Sequence, residues 1–301
     1  MPHPVRLMGR LIGWLDRKLF VPGKDEKEQR RRGRCLCILT LLPTLLITAA
    51  ILIGGYLIHP MLGLAVEAVL TCYTLAARSL RDESMKVFRA LAKGDIPEAR
   101  RAVSMIVGRD TEALDAAGIT RAAVETVAEN TSDGVIAPML YTCIGGPILG
   151  MLYKAVNTMD SMVGYHNERY ENYGRAAARL DDLVNRIPAR LSARLMILAA
   201  ALLGPEYDAT RAKRIYLRDR YNHKSPNSAH TESVCAGALG IRLAGDASYF
   251  GRLVRKPYIG DDVRPVEAKD IPRANRLMFL TAGLMLLISA AVWLIPGLLL
   301  L

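Results

Sequence analysis

The sequence lacks the short motifs of the commonest nucleotide and hydrolase chemistries. GxxxxGK[ST] does not occur, which excludes a P-loop, and GxGxxG, HExxH and GxSxG are missing as well. The five histidines, His3, His59, His166, His223 and His230, show no zinc spacing. Cysteine is scarce: there are five, with no CxxC, and all but Cys235 lie in or beside apolar runs. They are expected to be small buried hydrophobes rather than disulfides or metal ligands. Aromatics make up only 6% of the chain and no basic stretch is interleaved with them, so no nucleic acid is expected as a partner. Met1 to Phe20 is too polar to be a cleaved leader. There is no internal repeat and no low-complexity tract.

What the chain does have is an unusual mixture. It is 51% hydrophobic yet 23% charged, with a net charge of +11 over 301 residues. That combination suits a membrane protein with a large polar portion. The basic excess suits juxtamembrane Lys and Arg beside an anionic leaflet, and anionic substrates. Residues 1–34 are expected to be an amphipathic beginning. Leu7, Leu11, Trp14, Leu15 and Leu19 recur at helical spacing, fitted either to a membrane surface or to the protein's own core. Cys35 to Ile58 carries no charge and is long enough to cross roughly 30 Å of hydrocarbon. The arginines before it place its start in the cytoplasm.

His59-Pro60 reads as a tight turn, and 61–77 returns, interrupted by Glu67, which is fitted to burial against a partner helix or to function. Residues 78–133 read as cytoplasmic helices with starts at Asp95-Ile96-Pro97-Glu98, at Asp110 and at Thr120. The apolar segment 134–153 contains Pro138 and Gly145-Gly146-Pro147 between basic flanks, as expected of a broken or re-entrant helix. Residues 195–203 are too short to span and suit a second such element or a core helix. Residues 245–272 read as loop, and 277–301 as the last span. The expected fold is therefore all-α: a single membrane-embedded domain over 1–301, polytopic, with a large cytoplasmic helical portion.

Polar residues crowd both mouths of the broken segment. Glu125, Glu129 and Asp133 are four apart and would share one helix face. Three like charges in a row repel unless a cation such as Mg²⁺ or an amine faces them; the alternative is a solvated or arginine-paired face. Asn157 and Asp160 would share a face, and so would Asp181 and Asn185, with Asp182 and Arg186 beside them. These can offer a carboxylate to a metal and a guanidinium to a phosphate, or form ordinary intrahelical pairs. Ser225-Pro226-Asn227-Ser228 reads as a loop into a helix start, fitted to an anion or to a capping arrangement with Glu232.

Several long blocks carry a resemblance: ETVAENTSDGVIAP (Glu125 to Pro138), KAVNTMDSMVGYHNERYENYG (Lys154 to Gly174), DDLVNRIPARL (Asp181 to Leu191), SPNS and AGALGIRL (Ala236 to Leu243), together with His3-Pro4-Val5-Arg6. In this order, over nearly the whole chain, they resemble the CbiB/CobD family, adenosylcobinamide-phosphate synthase of cobalamin biosynthesis. The resemblance implies a multi-pass enzyme of the cell (inner) membrane with its polar portion cytoplasmic. It implies amide formation between a propionate of adenosylcobyric acid and aminopropanol phosphate or a similar amino-alcohol phosphate, driven by ATP with Mg²⁺. Its partners would be the corrinoid, the amino-alcohol phosphate, the lipid bilayer and a second copy of the chain.

Under that resemblance Glu129, Asp133 and Asp160 are expected to hold Mg²⁺, and Glu125 to act as base. Arg186, Arg190 and Lys224 are expected to hold phosphate. Asn130, Asn157, Ser161, Tyr165, Asp181, Asn185 and Asn227 are expected to position substrate. Two other classes compete with this expectation: a non-catalytic membrane sensor resembling AmpE, and a transporter with broken helices.

Overall fold

The computed structural model describes residues 3–165, 167–249 and 251–299, with side chains up to Leu294. The chain forms two compact units, Met1–Leu75 with Ala137–Asn185, and Ala76–Ile136 with Arg186–Leu301. Among the described residues, four helical stretches are long and apolar enough to cross a bilayer: Glu26–Ile58, Pro60–Ala92, Ala116–Val163 and Asp270–Leu294. The protein is an all-α membrane protein.

In the first unit, α1 (Pro4–Leu19) starts on His3, whose Nδ1 accepts the Val5 N–H, with Pro4 preset for the first turn. Its buried stripe is Met8, Ile12 and Leu15, while Leu7 and Trp14 stay about half exposed. Of the stripe expected from the sequence, Leu15 is buried and Leu11 and Leu19 pack against the core, while Leu7 and Trp14 turn outward and Met8 and Ile12 take their place. Ile12 and Leu15 join Leu36, Met159, Val163 and Tyr173 in a core.

Helix α2 (Glu26–Ile58) is capped by Asp25, which accepts the Glu28 N–H at 2.9 Å. The basic stretch before Cys35 therefore belongs to the same helix as the span. Thr40, Thr44 and Thr48 are buried at successive turns, whereas Ile38, Leu42, Leu46, Ile47 and Leu57 are exposed. Small polar residues inside and large apolar residues outside is the pattern of a helix in lipid.

Helix α3 (Pro60–Thr74) follows with no linker. His59 ends α2 and its Nδ1 accepts the Met61 N–H. Gly55 and Gly63 let the two helices touch: a Cβ on Gly63 would sit 2.3 Å from the Tyr56 ring. Glu67 accepts the Tyr56 hydroxyl at 2.6 Å, so this intramembrane carboxylate serves the helix pair. Later in the chain α7 (Ala137–Val163) breaks at Gly145 and at Gly146, whose φ of +61° favours glycine. The expected segment 134–153 is therefore the first half of a broken helix that runs on to Val163. The short α8 (Arg175–Val184) completes this unit.

The second unit begins with α4 (Ala77–Ala92) and α5 (Ile96–Ser104), the latter capped by Asp95 as its sequence predicts. No helix starts at Asp110; Thr111 to Leu114 only turns. Helix α6 (Ala116–Asn130) is capped by Asp115, which accepts the Gly118 N–H at 2.7 Å, and not by Thr120. Thr120 lies a turn inside, its hydroxyl bonded back to the Ala116 carbonyl at 2.8 Å, because the carboxylate ahead of it already satisfies the free donors. A π-helical turn, Thr131–Ile136, follows.

The rest of this unit is α9 (Arg186–Leu202), α10 (Ala209–Asp219), α11 (Ser228–Leu239) and α12 (Asp270–Leu299). Residues 195–203 thus fall largely within α9, where Leu195, Met196, Ala199 and Ala200 are buried as in a core helix. Every residue of α11 is buried. Gly237 makes this possible, since a Cβ there would lie 2.7 Å from the Ala212 Cα. Residues 245–272, expected as loop, contain three of the four strands of two small antiparallel ladders: β1 (Leu243–Ala244), just ahead of them, pairs with β4 (Tyr258–Ile259), and β2 (Ala247–Tyr249) with β3 (Arg252–Val254). The last span begins seven residues before Leu277, and residues 300 and 301 lie outside the described residues.

Candidate functional site

In the second unit, α6, α11 and the loops around them enclose a polar cavity of about 150 Å³. Helix α6 supplies Glu125, Glu129 and Asn130 to it. Arg109 comes from the turn ahead of that helix, Glu232 from α11, His223 from the loop before α11, Tyr249 from the second ladder and Lys256 from the loop after it. Arg109 and Glu125 are ion-paired, and the other Glu125 oxygen accepts the Ala244 N–H at 2.7 Å. Glu125 is thereby held at both oxygens and acts as an anchor. Ala244 holds this N–H in place at a φ of +58°, a conformation uncommon for a residue with a Cβ.

Glu129 accepts the Ser228 hydroxyl at 2.8 Å. Lys256 donates to the Tyr249 hydroxyl at 2.5 Å. His223 accepts the Ser225 N–H on Nδ1 at 3.0 Å, which fixes its ring. Glu232 is buried, and its carboxyl is pushed well above the ordinary range by that burial and then by Glu129 and Glu125, with Arg109 and Lys256 opposing. Burial, followed by nearby Lys256, holds His223 below its ordinary value, with Glu129 acting against them.

A second cavity in this unit, of about 560 Å³, is strongly basic. Arg190 and Arg194 face it from α9, and Lys213 and Arg220 from α10 and its end. The Arg220 guanidinium lies over the rings of Tyr216 and Tyr221, at 5.4 and 5.1 Å. His230 closes the cavity, its pKa lowered to about 4 by burial, then by Arg190 and Arg220.

The first unit carries its own polar cluster. Asp181 is buried, with its carboxyl raised to about 7 by burial and then by Asp160, while Asn185 and Asn157 hydrogen-bond it and pull the other way. Asn185 donates to Asp181 at 2.9 Å and accepts the Tyr153 hydroxyl at 2.8 Å. The pairs Asn157/Asp160 and Asp181/Asn185, expected separately from their spacing, thus meet.

The remaining expected residues are placed apart from these groups. Asp133 sits in the π turn, whose wider winding takes it off the face of Glu125 and Glu129, and it does not line the cavity. Arg186 and Lys224 are exposed. Arg190 donates to the Arg186 carbonyl at 2.6 Å. Asn227 is buried at the start of α11. Ser161 donates to the Asn157 carbonyl at 2.9 Å on an exposed face, and Tyr165 is exposed too. His166 lies outside the described residues. Among the described residues, no three His, Cys, Asp or Glu side chains cluster as a metal cage. Cys37 and Cys235 are buried as expected, but Cys72 is exposed on its apolar helix.

Arg109, His223, Tyr249 and Lys256 carry no local signal in the sequence. They reach the cavity from a turn, a loop and a ladder, where no periodicity marks which side chains point inward.

Apolar spans joined to pockets that balance carboxylates against guanidinium and ammonium groups define a membrane protein built to handle charged ligands. The CobD/Cbib protein family model matches residues 1–278, and the chain belongs to this family. The cobalamin biosynthesis protein CobD of Pelobacter propionicus is 49% identical over 291 residues, 97% of this chain and 88% of that relative. CobD of Geobacter metallireducens is 49% identical over 290 residues, 96% of this chain and 90% of that relative. CbiB of Salmonella typhimurium is 47% identical over 293 residues, 96% of this chain and 91% of that relative. No solved structure matches.

Proposed function

We propose that the chain acts in cobalamin biosynthesis as an amide-forming ligase, joining an amino-alcohol phosphate to a propionate of adenosylcobyric acid at the expense of ATP. The observation that carries this is the cavity in which Glu125, Glu129 and Glu232 face Arg109, His223 and Lys256. A carboxylate is a poor acyl donor because its oxygen leaves badly. Attack of the propionate oxygen on the γ-phosphorus of ATP expels ADP and gives an acyl phosphate. Attack of the amine then expels inorganic phosphate and forms the C–N bond, with the surplus ammonium proton passing to a carboxylate. Lys256 and Arg109 suit the transferring phosphoryl. Glu129 is the proposed proton acceptor, since Glu125 is already held by Arg109 and Ala244. The basic cavity around Arg190 suits the phosphate of the amino alcohol.

Magnesium fits this donor set. It takes one or two carboxylates and completes its shell with water and phosphate oxygens. Glu232 in this cavity meets that need in place of Asp133, which leaves Glu129 beside it to take the proton. The ion would neutralise triphosphate charge. The polar portion is proposed to face the cytoplasm of the inner membrane, because Arg30, Arg31, Arg32 and Arg34 precede the first span.

The test is purified protein with adenosylcobyric acid, aminopropanol phosphate, ATP and Mg²⁺. ADP release that depends on corrinoid, with one amide formed per ADP, is the expected result. Absence of corrinoid-dependent ADP release would return the chain to the sensor class, and uptake into proteoliposomes would make it a transporter.

A further inference from the structure

In the first unit, Arg30 and Arg34 of α2 and Arg175 and Arg179 of α8 line one open crevice of about 380 Å³. Arg30 is tethered: it donates to Asn172 at 2.9 Å and pairs with Glu26 at 2.8 Å. Arg34, Arg175 and Arg179 form no ion pair among the described residues. Guanidinium groups gathered this way repel one another, and an anion relieves the repulsion.

Both helices continue the crevice on the same face. Four residues after Arg34 comes Ile38, followed by Leu41 and Leu45; after Arg179 comes Leu180, followed by Val184. These five side chains line an apolar groove of about 460 Å³. On α2 the steps from Arg34 to Leu45 are three or four residues, and on α8 Arg175 and Arg179, like Leu180 and Val184, are four apart, which keeps each helix's contribution on one side. The seam between α2 and α8 is therefore basic at one end and apolar along the rest. The change falls where α2 passes from its arginines into the uncharged run that begins at Cys35.

We propose that this seam binds an anionic phospholipid of the surrounding bilayer. Its phosphate sits among Arg34, Arg175 and Arg179, and an acyl chain lies along Ile38, Leu41 and Leu180. Guanidinium matches phosphate oxygens in planar, bidentate fashion. A soluble phosphate would fill the crevice and leave the adjoining groove uncovered, whereas a phospholipid fills both. A choline headgroup would bring its cation into a crevice of arginines, so the seam selects against phosphatidylcholine. This site is independent of the proposed amide chemistry.

Native mass spectrometry of the delipidated full-length chain, titrated separately with phosphatidylglycerol, phosphatidylcholine, ATP and inorganic phosphate, tests the proposal. Phosphatidylglycerol adducts should form at a concentration at least about tenfold lower than phosphatidylcholine adducts, from the attraction of several arginines near a surface. The Arg175→Gln/Arg179→Gln variant should lose that preference, and Leu180→Asn should weaken phosphatidylglycerol without creating a preference for phosphatidylcholine. Arg179→Gln alone, at an exposed position, keeps the comparison readable if the double variant folds poorly. Equal adducts of the two lipids, an unchanged preference in Arg179→Gln and the double variant, or full displacement of phosphatidylglycerol by ATP or phosphate would each overturn it.

Discussion

Arg109 and Glu125 form a buried ion pair, with side chains 16% and 9% exposed, that ties the turn ahead of α6 to the helix itself. Removing one partner leaves a buried charge uncompensated, a loss of about 3 kcal/mol or more. Glu125→Gln should therefore lower the melting temperature of the detergent-purified protein markedly. Arg109→Met/Glu125→Leu should recover much of that loss, because both charges leave together, without recovering amide formation. A Glu125→Gln protein as stable as the wild type would show that the pair does not hold the turn.

Glu129 and Glu232 are the carboxylates proposed to handle the proton and the metal. Glu129→Gln and Glu232→Gln should each cut amide formation by about a hundredfold or more, the scale of a lost acid–base or electrostatic group. Neither should unfold the protein, and Glu232→Gln should even raise its melting temperature above neutral pH, where the buried carboxyl is hardest to keep neutral. Ser228→Ala, which removes only the hydrogen bond to Glu129, should cost a few-fold. A fully active Glu129→Gln would remove this cavity from the reaction.

The cluster in the first unit gives a separate test. Asp160→Ala should abolish amide formation while circular dichroism and melting remain close to wild type. Full activity in this variant would leave Asp160 with a structural part only.

Two buried groups predict opposite slopes of stability against pH. His230 titrates at about 4 when folded, against an ordinary 6.5, so its contribution is present above 6.5 and is lost as pH falls towards 4. Asp181 titrates at about 7 when folded, against 3.8, so its contribution is full below 3.8 and is lost as pH rises through 7. Melting curves between pH 4 and 7 should therefore fall less steeply with acid in His230→Gln, and more steeply in Asp181→Asn, than in the wild type. Parallel profiles in all three proteins would contradict both assignments.

Gly237→Ala should destabilise the protein by about 1–3 kcal/mol, the usual penalty of overpacking. The added methyl meets the Ala212 Cα at 2.7 Å and the Arg211 carbonyl at 2.9 Å, backbone that cannot turn away as a side chain would. Thermal melting checks it; an unchanged midpoint would mean that α10 and α11 can slide apart.

Much of the fold was legible because uncharged runs and capping residues are local. Cys35 to Ile58, the start at Asp95 and the broken segment around Gly145 and Gly146 follow from composition over a few turns. The cap at Asp115 was missed because Thr120 is also a good cap, and only the position of the first buried residues decides between them. The site was half legible. The spacing of Glu125 and Glu129 placed them together, and Asn157, Asp160, Asp181 and Asn185 met as two short-range pairs. The π turn removed Asp133 from its neighbours, an irregularity that a spacing argument built on 3.6 residues per turn does not foresee. Arg109, His223 and Lys256 are cavity partners chosen by long-range folding, which no local pattern encodes.

His59 closes one helix and opens the next, so nothing separates the two but a single residue. A pair joined this way has no slack to place its outer ends on opposite faces of a bilayer. The second helix must therefore turn straight back along the first towards the side that holds Arg34, and the direction of both is decided once, by the arginines, when the pair inserts.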